Sequence, residues 1–327
     1  MRAQGASYEA LHAAGGGILS TVRATRAGSE DELSAALRQH LGWMLEHGTM
    51  TAEVKSGYGL DRANELKMLR AIRRAADDSP LDVSPTFLGA HATPPEFDSP
   101  SSYVDYLVAE VLPEAARLAT AADIFLEHGA FAAPEARRYL EACRAHGLAL
   151  RLHGDQFSER GSIPLAIELG ARSVDHLEAT GDVGAKMLAR SDVAAVLLPA
   201  CALFLDLPSP PARTLLEAGG IVALATDFNP GSAFCESLPL AMNLACTRLK
   251  LSPAEALAAA TANAAHVLGR GGEVGRLAPG YAADVLLLDA PDWRFLAYHL
   301  GGDRFAARIK RGRLLEPTPV GDIKPIA

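Results

Sequence analysis

Aromatic residues are scarce in this chain, at 6% of 327 residues, and its four cysteines, at 143, 201, 235 and 246, form no CxxC pair. Neither a disulfide framework nor a zinc knuckle is suggested. Basic charge is short as well: 31 Lys and Arg face 39 Asp and Glu, for a net charge of −8. A nucleic-acid surface wants a basic face, so nucleic acid is excluded as a partner. The one dense basic run, Arg308 to Arg313, reads as a solvated strand and turn. Long apolar runs are missing too. The longest, Val193 to Leu205, is broken by Pro199 and too short for a bilayer. With no signal peptide read at Met1, the expectation is a cytoplasmic protein with no membrane partner. No internal repeat or low-complexity linker interrupts the chain.

What is present is alternation. The 49% apolar content, rich in alanine, suits helices packed on a sheet and excludes disorder. The organising stretch is Ile221 to Ser232, IVALATDFNPGS. Its apolar, partly β-branched start reads as a buried parallel strand running to Asp227, ahead of the turn Asn229-Pro230-Gly231-Ser232. Six further strands are expected at 50–55, 83–88, 123–127, 148–153, 173–176 and 193–198. Helices lie between them, near 29–45, 62–78, 103–118, 134–146, 163–169, around Met187, and at 213–218. A short helical start at Tyr8 to His12 and a loop at Gly15 to Gly17 precede them. Ser29 with Glu32 and Ser252 with Glu255 have capping-box spacing. Crossovers of this length imply a parallel sheet. Seven strands are one short of closure, so the fold class expected is α/β, a (β/α)8 TIM-type barrel with its first strand missing. Residues 1–270 form that barrel. Residues 271–327 read as a small C-terminal β appendage, the remnant of a β-sandwich domain.

Ligands bind at the carboxyl ends of parallel strands. Those ends carry Glu53, Lys55 and Tyr58; His91; Glu127; His153 with Asp155 and Gln156; His176 with Glu178; and Asp227 with Asn229. Taken singly, a strand-end His is most often a hydrogen-bonded structural residue, Asp227 caps a helix, and Lys55 with Glu127 reads as a buried ion pair. Jointly, His153, His176 and Asp227 on one rim have the composition of a transition-metal site.

The segments EVKSGYGL, FLGAH, LHGDQFS, SVDHLE, LLPA, ATDFNPGS and GRLAPGYAADVLLLD together resemble the imidazolonepropionase family of histidine degradation, a branch of the metal-dependent amidohydrolase superfamily. The resemblance runs from about Gly5 onward. It implies hydrolytic opening of 4-imidazolone-5-propanoate to N-formimidoyl-L-glutamate by metal-activated water, with zinc or iron as cofactor. It further implies His153 and Asp227 as metal ligands, and Asp227, His176 and Gln156 as catalytic residues. Tyr58, His91, Gln156, Asn229, Gly231 and Ser232 match substrate contacts, and the family tendency implies a homodimer. The runner-up activities are another cyclic amide or amidine hydrolase of the superfamily, or a catalytically silent barrel that binds or oligomerises.

The family also places a His-x-His metal pair and a substrate-binding Arg on an earlier strand. None of the ten histidines here is spaced i, i+2 from another. The expectation from that mismatch is a chain lacking the N-terminal segment with its metal pair, through a misassigned start, a fragment or a real loss. Weak metal binding and little activity would follow.

Overall fold

Seven of the apolar runs become the parallel strands β1 (Thr51–Lys55), β2 (Asp82–Ala90), β3 (Ala121–Leu126), β4 (Ala149–Gly154), β5 (Ser173–His176), β6 (Ala194–Leu197) and β7 (Val222–Leu224). This computed structural model describes residues 18–302 and 304–315, so Tyr8 to His12 and Gly15 to Gly17 lie outside the described residues. The strands pair in chain order from β1 to β7, every pair parallel. The sheet is curled and open. Its outermost strands, β1 and β7, are not paired with each other, yet residues of both line one cavity. The architecture is an incomplete (β/α)8 barrel, with a separate antiparallel sheet of β8 (Val285–Leu288), β9 (Phe305–Lys310) and β10 (Arg313–Leu315).

Strand alternation sorts the side chains. Ala122, Ile124, Leu150, Leu152 and Val174 point outward and are buried in the large core under the helices. Their alternate neighbours Asp123, Arg151, Ser173 and Asp175 are buried on the concave side. A TIM barrel normally fills that interior with branched apolar side chains. Here the β6–β7 end is apolar, through Ala194, Val196 and Ala223, and Leu88 and Phe125 add apolar lining from β2 and β3.

The helices start where local chemistry directs. Both capping boxes form, Ser29 with Glu32 ahead of Glu30–Glu46 and Ser252 with Glu255 ahead of Pro253–Ala258. Asp61 caps Arg62–Asp77 by accepting from the Asn64 amide. The helix expected near 103–118 begins earlier, at Pro100, and widens into a π-turn over Leu107–Val111. Pro113, in the first turn of the next segment, has no N–H to continue a regular ladder, which accounts for the wider turn there.

Three expectations need correction. The organising strand ends at Leu224, not Asp227, because the chain turns and Asp227 takes a left-handed φ of 56°. Pro199 does not merely interrupt an apolar run. It opens the helix Pro199–Leu205, where its missing N–H costs nothing. The basic run 308–313 is not a solvated strand: Lys310 is 5% exposed and donates to Asp82 (3.0 Å) and Asp284 (2.6 Å). Arg308 Nε donates to the Leu45 carbonyl at 2.9 Å, and Arg311 Nη2 to Asp82 at 3.0 Å. Asp82, which opens β2, thereby fastens the C-terminal sheet to the barrel, with Arg270 as a further partner at 3.1 Å.

Asp82→Asn should therefore loosen this junction. Asp82 keeps 18% of its side chain exposed, so the loss should be on the order of 2 kcal/mol, below the ~3–5 kcal/mol of a fully buried pair. Urea unfolding of the variant against the parent measures it.

Candidate active site

Nine residues singled out in the sequence, Tyr58, His91, His153, Gln156, His176, Asp227, Asn229, Gly231 and Ser232, line one cavity of about 540 Å³. It lies on the concave face of the sheet, where the strand ends and the loops after β1, β2, β4, β5 and β7 converge. The His91 and His153 rings are 6.4 Å apart and those of His153 and His176 5.2 Å, centroid to centroid.

The backbone is strained where it delivers these groups. Asp155 (φ 53°), His176 (φ 86°), Leu177 (φ 72°) and Asp227 (φ 56°) all adopt left-handed conformations just past β4, at the end of β5 and past β7. Asp tolerates that region, but two successive non-glycine residues there cost about 1–3 kcal/mol each and persist only when their surroundings fix them. Leu177 is fully buried, and its amide donates to the Gly154 carbonyl at 3.2 Å.

Beneath the cavity floor lies a charged network. Lys55 Nζ donates to Asp123 at 2.5 Å and to Asp175 at 2.9 Å, with Glu53 at 3.6 Å. Arg151 Nε is 2.9 Å from Glu53 Oε1, and Arg151 Nη1 donates to the Val267 carbonyl at 3.0 Å. Burial alone would strip the Lys55 proton, but Asp123, Asp175 and Glu53 hold its ammonium well above the usual lysine range. Burial likewise opposes ionisation of Asp123, yet His153 and Lys55 keep its carboxyl well below the ordinary value. Asp175 is also held low, by Lys55 against burial. Lys55 does not pair with Glu127, which instead accepts from the amides of His128 (2.7 Å), Phe157 (2.8 Å) and Ser158 (3.1 Å).

Two sets of donors could hold a metal ion: Asp123, His153 and Asp175, and His176, Glu178 and Cys201, each with its ligand atoms within 4.8 Å of one another. His153 Nδ1 lies 3.0 Å from Asp123 Oδ2, and His176 Nδ1 lies 3.5 Å from Glu178 Oε2. Asp123 Oδ1 and Glu178 Oε1 are buried with no hydrogen-bond partner among the described residues, and a cation would engage those lone pairs. Carboxylate, imidazole and thiol are the ligand types of a transition metal, so the residues fit one.

This overturns the expectation of a chain short of its metal site. Residue spacing detects ligands that neighbour each other along one strand. These donors come from β3, β4, β5 and the segments after β5 and β6, and no spacing rule joins them. The expectations of weak binding and little activity rested on the same premise and fall with it.

His153 is thus among the donors, whereas Asp227 belongs to neither set. Asp227 Oδ2 accepts from Ser232 Oγ at 2.8 Å, and Asn229 Nδ2 donates to the Asp227 carbonyl at 2.8 Å. Asn229 Oδ1 in turn accepts from the Gly231 and Ser232 amides at 2.9 and 2.8 Å. The NPGS loop is a self-contained clamp on the Asp227 carboxylate. Gln156 Nε2 donates to Cys201 Sγ at 3.6 Å. His176, against the effect of burial, is held well above the ordinary imidazole value by Glu178 and Cys201, while burial pushes the Cys201 thiol up to about 11. Burial lowers His91 to about 4, so it is a neutral imidazole at pH 7.

Sequence reading gives Asp123, Asp175 and Cys201 no part in the site, and it leaves Glu178 without a role. The available signal was alternation. Glu53-x-Lys55 and Arg151-x-His153 put charge on every second residue of strands whose other face is apolar.

Comparison with known proteins agrees with this architecture. The profile of the Amidohydrolase family matches residues 11–307. The imidazolonepropionase of Rubrobacter xylanophilus is 72% identical, over 97% of this chain and 76% of that protein. That of Herpetosiphon aurantiacus is 48% identical, over 96% and 76%. Among solved structures, guanine deaminase from C. acetobutylicum with bound guanine aligns with a TM-score of 0.69 at 13% identity, over 90% of this chain and 78% of that one. An adenosine deaminase from Xanthomonas campestris with bound zinc gives 0.66 at 16%, over 90% and 72%. At such identities the structures speak for the fold alone.

Replacing Lys55 by Met leaves Asp123 and Asp175 buried without their counter-ion. The expected loss is about 3–5 kcal/mol near neutral pH. Because the folded carboxyls sit below their unfolded value of 3.8, their contribution is complete above that value and is lost as pH falls through it towards the folded values. The parent should therefore lose stability as the pH falls below about 4 and Lys55→Met much less so, as denaturant titrations carried from about pH 5 down to about pH 2 would show.

Proposed function

The chain belongs to the amidohydrolase family and, within it, to the imidazolonepropionases, and on that premise we propose that it opens the ring of 4-imidazolone-5-propanoate by metal-dependent hydrolysis to N-formimidoyl-L-glutamate. The observation that carries this is the convergence of all nine family-matched residues on one cavity, whose lining also includes the candidate metal donors His153, Asp175 and His176. Zinc or iron would be held by His153 with Asp123 and Asp175, with Asp227 of the same cavity as a further candidate ligand. A bound metal of this kind supplies Lewis acidity towards a water and the ring carbonyl.

The side chains supply the rest. Asp227 takes a proton from the attacking water and returns it to the ring nitrogen as the C–N bond of the cyclic amide breaks. Its carboxylate is held for that task by Ser232 Oγ, which Asn229 in turn holds while it also bonds the Asp227 backbone carbonyl. His176 would donate a hydrogen bond to the carbonyl oxygen, where negative charge develops, with Glu178 as its own partner at 3.5 Å. Gln156 hydrogen-bonds the ring. Tyr58 and His91, packed edge to face at 5.1 Å, form the wall against which it rests. The reading extends to a cytoplasmic homodimer, with β8 to β10 as the remnant of a small β domain.

Loss of imidazolone propanoate absorbance on mixing with the purified protein tests the reading directly. A chelator should abolish turnover, and zinc or iron should restore it. Asp227→Asn should lower kcat on the order of a hundredfold or more, and His176→Ala should reduce kcat more than it reduces metal content. An Asp227→Asn variant with full activity would reject the mechanism, and a metal-replete parent inert towards this substrate would reject the substrate.

A further inference from the structure

The turn Ser56-Gly57-Tyr58-Gly59 carries two glycines, and both are required by what lies against them. A Cβ on Gly57 (φ 111°) would sit 2.8 Å from the Leu88 carbonyl oxygen and 3.2 Å from His91 Nδ1. One on Gly59 would lie 2.4 Å from the backbone nitrogen of Glu65. The turn is thus wedged between the His91 ring and the first turn of the helix Arg62–Asp77.

Glu65 occupies that first turn and is fully buried. Its carboxylate meets no cation among the described residues; beside the Ser56 hydroxyl it is bonded by backbone, Oε2 accepting from the Gly57 amide (3.1 Å), and Oε1 from those of Gly59 (2.8 Å) and Leu60 (2.9 Å). A buried carboxylate is costly unless its lone pairs are engaged, and three amides of one turn engage these. The peptide on the other side of Gly57 finishes the chain of contacts, since its carbonyl oxygen is 3.0 Å from His91 Nδ1. A carbonyl can only accept, so Nδ1 carries the proton and Nε2 keeps its lone pair.

We propose that Glu65 is a positioning residue that, through the Gly57 peptide, fixes the tautomer of His91 and the pose of Tyr58 on the cavity wall. His91 then presents Nε2 as a hydrogen-bond acceptor, and the matching group on a cyclic amide is a ring N–H. The proposal rests on the substrate reading above for its kinetic consequence but not for its structural one. No sequence pattern marks Glu65. It lies three residues beyond the start of its helix, and its partners are three backbone amides and the Ser56 hydroxyl.

Glu65→Gln is the test, because the amide keeps the shape and one acceptor oxygen but turns an NH2 towards the Gly57 amide. Nitrogen–proton correlation spectra of the histidine side chains report the tautomer, with the His91 signal identified by its loss in His91→Asn. In the parent His91 should be the Nδ1–H tautomer at pH 7. In Glu65→Gln it should shift towards Nε2–H, with KM for imidazolone propanoate raised about tenfold and kcat changed less than about threefold, the split expected of a lost binding contact. Glu65→Asp, whose shorter arm withdraws the carboxylate from the Gly57 amide, should give the same shifted His91 spectrum, and it decides the matter if Glu65→Gln does not fold. An unchanged His91 tautomer in the folded variants overturns the proposal, whatever the kinetics. Inactivity of the parent would count against the substrate alone, because the spectra need none.

Discussion

One ammonium group sets the terms for the interior of this protein. Lys55 reaches from β1 into the concave face of the sheet and meets carboxylates from β3 and β5 at 2.5 and 2.9 Å. Asp175 depends on it chiefly and Asp123 on it together with His153 to stay ionised in that place, since transfer of a lone carboxylate out of water costs several kcal/mol even after relaxation. With it, the space that other barrels fill with branched apolar side chains becomes polar. Histidine, carboxylate and thiol groups can then lie within bonding range of one another beneath a cavity.

The site above is assembled on the same logic of fixed, buried partners. Asp227 is gripped by its own loop, Gln156 leans on Cys201, and the backbone around His176 is forced into conformations that an isolated chain would avoid. Donor atoms are left without partners at the centre while the groups around them are fully engaged. Such an arrangement spends folding stability on geometry, and it is what preorganisation of a hydrolytic site requires.

Much of the fold was legible in the residues. β5 falls at Ser173–His176 as its pattern predicts, and the capping boxes at Ser29 and Ser252 start helices as their spacing dictates. These features depend on neighbours within four residues. The shortened β7 and the helix opened by Pro199 were misread because an apolar run has the same look in a strand, a turn or a helix start. The site divides along the same line. His153, His176 and Asp227 announce themselves at strand ends. Asp123, Asp175 and Cys201 acquire meaning only when β3, β4, β5 and the helix after β6 are laid side by side. The inventory of metal donors was therefore underestimated from spacing, which sees along the chain and not across it.

The open sheet has a geometric consequence. In a closed barrel, strand number and stagger determine the radius. Here β1 and β7 do not meet, so nothing in the hydrogen-bond ladder dictates how tightly the sheet bends. That task passes to the side chains that span the hollow. Lys55 to Asp123, Lys55 to Asp175 and Arg151 to Glu53 are chords across an arc, drawn from β1 to β3, β5 and β4. Lengthen a chord and the arc flattens, carrying the histidines on β4 and β5 apart. The width of the mouth is thus tuned by Lys55, Glu53 and Asp175 in the cavity lining, together with Asp123 and Arg151.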